Sequence, residues 1–478
     1  MISFLLSLVA LVLGYLLYGR FVEHVFGPDN RETPAVAKAD GVDYIVLPSW
    51  KVFMIQFLNI AGTGPIFGAI MGAKFGPAAY LWIVLGCIFA GAVHDYLSGM
   101  LSMRNDGAGQ PELVGRYLGM TTRKVMLVFS VFLLMMVGAV FVYSPALILG
   151  RLFSDDLSGV YVWCGIIFLY YIVATMLPID KIIGKIYPLF AISMLFMAVA
   201  LMGVLLVKWP TLPEVFDGFS GEGFTTPIFP ALFITIACGA ISGFHATQTP
   251  LMARCVKNEH MGRPLFYGAM ITEGLVALIW ATVSMYFFYG GAAQELGQPL
   301  TLQAPEVVTV VSEGWLGTFG GILAMLGVVA APITSGDTAL RSARLIIAEF
   351  IHLDQKTIMK RIWICIPLFG VTLLLLFYNI SNPEGFNVIW SWFGWSNQTL
   401  AVFTLWAITV YLVREHKPYW ITLLPALFMT IVCSTFLMVS KNSFALDMTV
   451  GYAVGGASLI VSIAWFFLWR KKEMSKKQ

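Results

Sequence analysis

Charge is what this sequence has least of: 12% of its 478 residues are Asp, Glu, Lys or Arg, against roughly 25% in an ordinary soluble domain. So few charges cannot cover the surface of a water-soluble protein this long, and a composition that is 59% hydrophobic places the chain in a lipid bilayer. Cysteine is scarce too. Cys87, Cys164, Cys238, Cys255, Cys365 and Cys433 form no CxxC pair, which argues against a disulfide framework or a zinc site and leaves them as packing residues. His24, His94, His245, His260, His352 and His416 show no HExxH spacing, and neither paired carboxylates nor a metal cluster marks an enzyme. A GxxxxGK[ST] loop is missing, so ATP is not the expected energy source. The basic residues lie at span ends and in short loops without forming a patch, which argues against a nucleic-acid partner. Loops of at most about thirty residues are too short to fold a core of their own, which excludes a receptor with a signalling domain.

What the chain has instead is a succession of apolar stretches, each long enough to cross a bilayer as a helix. Thirteen are expected, at about 2–19, 49–73, 77–103, 125–150, 160–178, 186–208, 228–253, 264–290, 316–340, 362–379, 386–413, 418–439 and 447–469. Strands of a membrane barrel would be shorter and alternating, so the fold is read as all-α and polytopic. The first run has no basic residue before it and no small-x-small cleavage site, and is read as a retained helix rather than a signal peptide.

Thirteen spans put the termini on opposite sides. With the tail RKKEMSKKQ inside, the inside loops hold 25 Lys and Arg, while the outside loops hold Lys74, Arg151, Lys208 and Lys441 alone. This asymmetry predicts an exterior N-terminus and a cytoplasmic C-terminus.

Two spans are interrupted where a helix most needs its hydrogen bonds. Residues 59–68 read NIAGTGPIFG, and residues 237–250 read ACGAISGFHATQTP. Glycine costs about 1 kcal/mol and proline about 3 kcal/mol inside a helix relative to alanine, and lipid offers no water to a freed backbone group. Small residues also let helices pack closely with no site involved. Two such breaks open two five-span blocks of opposite topology, spans two to six and seven to eleven. That is the pattern of a secondary transporter with inverted repeats, whose discontinuous helices meet near the midplane. Unwound ends offer amides to an anion and carbonyls to a cation.

In span nine, AAPITSGDTALRSAR (330–344) sets Ala331, Thr334 and Ser335 on one helical face, an oxygen set that suits a hard monovalent cation or simply bonds back to the preceding turn. Asp337 and Arg341, four apart, are expected to pair. Ionisable residues within spans are functional candidates by default; here they are His94, Asp95, His245 and Glu273. As sequence neighbours His94 and Asp95 point about 100° apart, and no pairing between them is assumed.

Four segments, YGRFVEHVFGPD (18–29), DGVDYIVLPSWKVFMIQFLNIAGTGPIFGAIMGAKFGP (40–77), GAVHDYLSGMLSMRNDG (91–107) and APITSGDTALRSARL (331–345), resemble the carbon starvation protein A (CstA) family over nearly the whole chain. The resemblance implies a bacterial or archaeal inner-membrane carrier, of peptides or of pyruvate with a proton, and a relationship to the amino acid–polyamine–cation superfamily. It therefore implies the leucine-transporter-type fold of five plus five helices, with one N-terminal and two C-terminal helices outside the core. The divisions expected are 1–48, 49–208, 226–413 and 414–478. In that fold Ala331, Thr334 and Ser335, completed by Ala61, correspond to a sodium site.

The expected cargo is a small carboxylate such as pyruvate, with short peptides as the alternative and a channel as the alternative of another class. Gly62, Thr63 and Gly64 with Gly239, Ser242 and His245 are the candidates to bind it, joined by Ser396, Asn397 and Gln398 of GWSNQTLA. His245, His94, Asp95 and Glu273 are the proton-coupling candidates. No cofactor is expected beyond a coupling ion, H+ or Na+, and no metal beyond a monovalent cation; the partners are a small-molecule substrate and the bilayer.

Overall fold

The computed structural model describes residues 1–41, 44–153, 157–176, 179–219, 227–353, 357–382 and 384–475. Eleven of its helices are long and apolar enough to cross a membrane: α1 (Ile2–Phe26), α3 (Ala78–Arg104), α4 (Met120–Gly150), α5 (Ser158–Met176), α6 (Tyr187–Lys208), α8 (Glu259–Tyr289), α9 (Gly320–Phe350), α10 (Ile358–Ser381), α11 (Gly385–Arg414), α12 (Trp420–Val439) and α13 (Met448–Ser475). A twelfth crossing is the pair α2a (Ser49–Ala61) and α2b (Gly64–Phe75), bent by 42° at its break. The thirteenth stretch is broken harder, into α7a (Ala231–Thr235) and α7b (Gly243–Ala253), with non-helical backbone between. Both breaks fall on the glycine-rich segments that the sequence singles out. The expected repeat start at 226 and the tail residues 476–478 lie outside the described residues.

Helix contacts sort the elements into groups. The α2 halves pack on α8, and α7b lies against α3, α2a and α11. α9 is sandwiched by α4 and α6, with α5 and α10 beside them. α12 sits between α11 and α13, and α13 leaves most of its apolar length on the outside, Val461, Leu468 and Ile460 among it. This is the five-plus-five leucine-transporter-type architecture, α2–α6 and α7–α11, with α1, α12 and α13 around it.

Three local features escape the hydropathy pattern. Helical backbone begins at Ala304, ahead of span nine, and is redirected at Gly317 (φ 67, ψ −176). Single π-turns at Cys87–Gly91 in α3 and Arg263–Tyr267 in α8 shift the helical register just before Asp95 and Glu273. Finally, Asp337 and Arg341 are only loosely paired, at 3.9 Å. The Arg341 guanidinium donates to the Ala174 carbonyl at 2.6 Å, and Tyr187 donates to Asp337 at 3.2 Å.

Candidate substrate and coupling site

The α2 break turns on Gly62, at φ 46 and ψ −136, a conformation open to glycine and strained for any other residue. A β-carbon there would also stand 2.8 Å from the Phe141 ring. Pro65 then sits in the first turn of α2b, where its missing amide costs no intrahelical bond. In α7 the matching position is Gly239, at φ 92, whose β-carbon would fall 2.5 Å from that of Ala277 on α8. The two breaks touch. A β-carbon on Gly64 would lie 2.3 Å from the β-carbon and 2.4 Å from the sulfur of Cys238.

The N-terminal end of α7b is capped from across the bundle. Asn397 Oδ1 accepts the Phe244 amide at 2.6 Å and the Ser242 hydroxyl at 3.1 Å. At this end the Phe244 amide and the Ser242 hydroxyl are satisfied within the protein: a buried amide in lipid must find a partner, and α11 provides it. Gln398 donates to the Phe233 carbonyl at 2.8 Å, bracing α7a. Ser396 is buried with its hydroxyl unpartnered. At the α2 break matters differ. Thr63 Oγ1 and both side-chain polar atoms of Asn59 are fully buried and have no hydrogen-bond partner; these are the open polar groups beside Gly62 and Gly64.

The four ionisable candidates, scattered over 180 residues of sequence, form one chain. Asp95 Oδ1 is 2.8 Å from His94 Nδ1, and Asp95 Oδ2 is 2.8 Å from His245 Nδ1. On its far side His245 Nε2 lies 3.3 Å from Glu273 Oε2. All four side chains are fully buried. An ionised carboxylate only accepts, so an ionised Asp95 assigns the Nδ1 proton to both imidazoles. The contact between His94 and Asp95 corrects the sequence expectation. A 100° offset separates their β-carbons, but Nδ1 is the ring nitrogen nearer the backbone and the aspartate stem is short, so both reach into the gap.

In the cation set, Ser335 donates to the Leu58 carbonyl at 2.9 Å and Thr334 to the Ala331 carbonyl at 2.9 Å. The α2a partner of Ser335 is thus Leu58, one turn before Ala61, a carbonyl that no side-chain pattern announces. Outside the breaks, a cavity of about 720 Å³ is lined by Lys74, Ile234, Thr235, Trp390 and Lys441, among others. Its wall residue Trp390 leans on Phe67 of α2b, ring centroids 6.2 Å apart, and Thr235 ends α7a. The cavity therefore reaches both broken helices, through Met71 and Lys74 at the end of α2b and Ile234 and Thr235 at the end of α7a.

Sequence reasoning missed Cys238, Asn59 and Leu58. Cys238 looks like one apolar residue among many, and its only signal is its position beside Gly239.

Two half-helices in contact, an oxygen set on α9 and a buried ionisable chain define a membrane transporter of the leucine-transporter type. The carbon starvation protein CstA family model matches residues 1–155, 145–313 and 289–436, and the chain belongs to that family. It is 45% identical over 339 residues to an uncharacterized membrane protein of Haemophilus influenzae, covering 60% of this chain and 91% of that one. It is 27% identical to the Bacillus subtilis peptide transporter CstA, covering 97% and 94%, and 25% identical to the Escherichia coli pyruvate/proton symporter BtsT, covering 85% and 76%. Among solved structures, a mutant of the Eremococcus coleocola manganese transporter superposes with a TM-score of 0.62 at 12% identity, covering 92% of this chain and 99% of that chain. At that identity the likeness concerns the fold alone.

Proposed function

We propose that this protein is an ion-coupled symporter that imports a small carboxylate, pyruvate first and short peptides second, by alternating access across the cytoplasmic membrane. The N-terminus lies outside and the C-terminus inside. The observation that carries this reading is the contact of two broken helices at Gly64 and Cys238, beside which the buried polar groups of Asn59 and Thr63 lie unpartnered. Cargo is held by Gly62, Thr63 and Gly64 from α2 and by Gly239, Ser242 and His245 from α7, with Ser396, Asn397 and Gln398 behind them.

Relatives named as peptide transporters and as a pyruvate/proton symporter favour both cargo and ion coupling. A proton would ride on the buried chain His94–Asp95–His245, hydrogen-bonded through Asp95, with Glu273 beside His245 at 3.3 Å. Sodium would instead enter between the Leu58 and Ala61 carbonyls and the Ala331, Thr334 and Ser335 oxygens. The test is uptake of labelled pyruvate, lactate and dipeptides into proteoliposomes, with proton and sodium gradients imposed separately. Gradient-stimulated accumulation of pyruvate is expected; no accumulation of any of these cargoes under either gradient overturns the proposal.

A further inference from the structure

Cys238, His245 and Glu273 offer a thiol sulfur, an imidazole nitrogen and a carboxylate oxygen that all lie within 4.8 Å of one another. No member is more than 3% exposed. The sulfur comes from the α7 break, the nitrogen from the first turn of α7b and the carboxylate from α8. His245 Nε2 and both Glu273 oxygens have no hydrogen-bond partner. Leaving such groups buried and unpaired is costly, so the site is open to something that brings positive charge.

The distances say what. At 3.3 Å the His245 nitrogen and Glu273 oxygen are not aligned as a hydrogen bond, yet that separation is the edge of a tetrahedron with bonds of about 2.0–2.1 Å to each. The sulfur would need to move in by roughly 1 Å at most to reach a bond of about 2.3 Å. Behind the imidazole, Nδ1 is held on Asp95 at 2.8 Å, and Asp95 is held in turn by His94. A carboxylate on the outer nitrogen is how metal-binding histidines are oriented and made more basic. A mixed set of sulfur, nitrogen and oxygen suits a borderline-soft ion such as Zn2+; Mg2+ and Ca2+ take oxygen.

We propose that Cys238, His245 and Glu273 form a three-ligand site for a divalent transition-metal ion of the Zn2+ type, with Asp95 as its positioning residue and a fourth place left to water. Binding ionises the Cys238 thiol and occupies the Nε2 and carboxylate lone pairs, so metal and proton exclude one another there. The inference does not rest on the transport reading, because occupancy is measured without cargo or gradient.

The test is titration of purified, tag-free protein in nanodiscs with Co2+, followed by absorption, then with Zn2+. One equivalent should produce a thiolate-to-cobalt charge-transfer band and tetrahedral ligand-field bands, both bleached by Zn2+. Cys238→Ser should remove the charge-transfer band, and Asp95→Asn should weaken binding about ten- to a hundredfold. Cys87→Ser, whose thiol faces the Met270 carbonyl at 3.4 Å, should leave the band unchanged. A wild type without the charge-transfer band, or a band that survives Cys238→Ser, overturns the proposal. Should Cys238→Ser not fold, the affinity of Asp95→Asn decides: an unchanged value overturns it.

Discussion

The sulfur of Cys238 lies 2.4 Å from where a β-carbon on Gly64 would stand. The unwound parts of α2 and α7 therefore meet through the Cys238 side chain, and the glycine at position 64 is required by the other helix rather than by its own. Gly64→Ala should overpack this contact and cost about 1–3 kcal/mol, read as a lower melting temperature of the purified protein. Most of that loss should return in a Cys238→Gly background, which removes the β-carbon 2.3 Å away. Equal losses in both backgrounds would show that the breaks do not touch.

Asn397 holds the start of α7b by accepting the Phe244 amide and the Ser242 hydroxyl. Asn397→Ala leaves two buried donors unpaired, each worth about 1–3 kcal/mol. Asn397→Asp keeps an acceptor oxygen and should recover most of the thermal stability lost in the alanine variant.

Lys74 and Lys441 line the cavity beside α2b and α7a. A single sign of charge in a recess concentrates anions, so replacing both with Gln should raise KM for pyruvate uptake by about tenfold with kcat unchanged. The wild-type advantage should shrink as ionic strength rises. An unchanged KM would remove the lysines from the uptake path.

Glu295 ends the short helix Ala292–Glu295 that follows α8, and its hydrogen bonds from Lys208 and then from Tyr286 hold its carboxyl below the usual carboxylate range. A depressed pKa stabilises the fold above the unfolded value of about 4.3, and that contribution disappears as pH falls through the folded pKa. Because the pair is exposed, the effect should stay below about 1 kcal/mol. The melting-temperature gap between wild type and Glu295→Gln should be constant from neutral pH down to about pH 5 and close below about pH 4.

Much of this architecture is written in the chain. Apolar runs set the spans, and GTGP at 62–65 and CGAISG at 238–243 announce the breaks, because the φ 46, ψ −136 of Gly62 and the φ 92 of Gly239 are conformations that glycine takes at little cost. The buried ionisable chain is another matter. Asp95 and His245 are 150 residues apart, and no period or spacing ties one to the other or either to Glu273. Their meeting depends on how α3, α7b and α8 pack and on two π-turns that shift the helical register. The partner of Ser335 was hidden for a simpler reason: it is a main-chain carbonyl, at Leu58, and a carbonyl has no letter in a sequence. The capping role of Asn397 was hidden likewise, since its polar side chain suited a cavity wall as well as it suits an amide.

Asp95 joins both histidines, so the proposed proton coupling hangs on it. The most direct measurement is pyruvate accumulation in proteoliposomes under an inward proton gradient, wild type against Asp95→Asn, with reconstitution checked by density and by monodisperse elution. The wild type should concentrate pyruvate inside and lose that excess when the gradient is collapsed, whereas Asp95→Asn should show no gradient-driven excess at all. Accumulation by Asp95→Asn equal to that of the wild type would contradict the account.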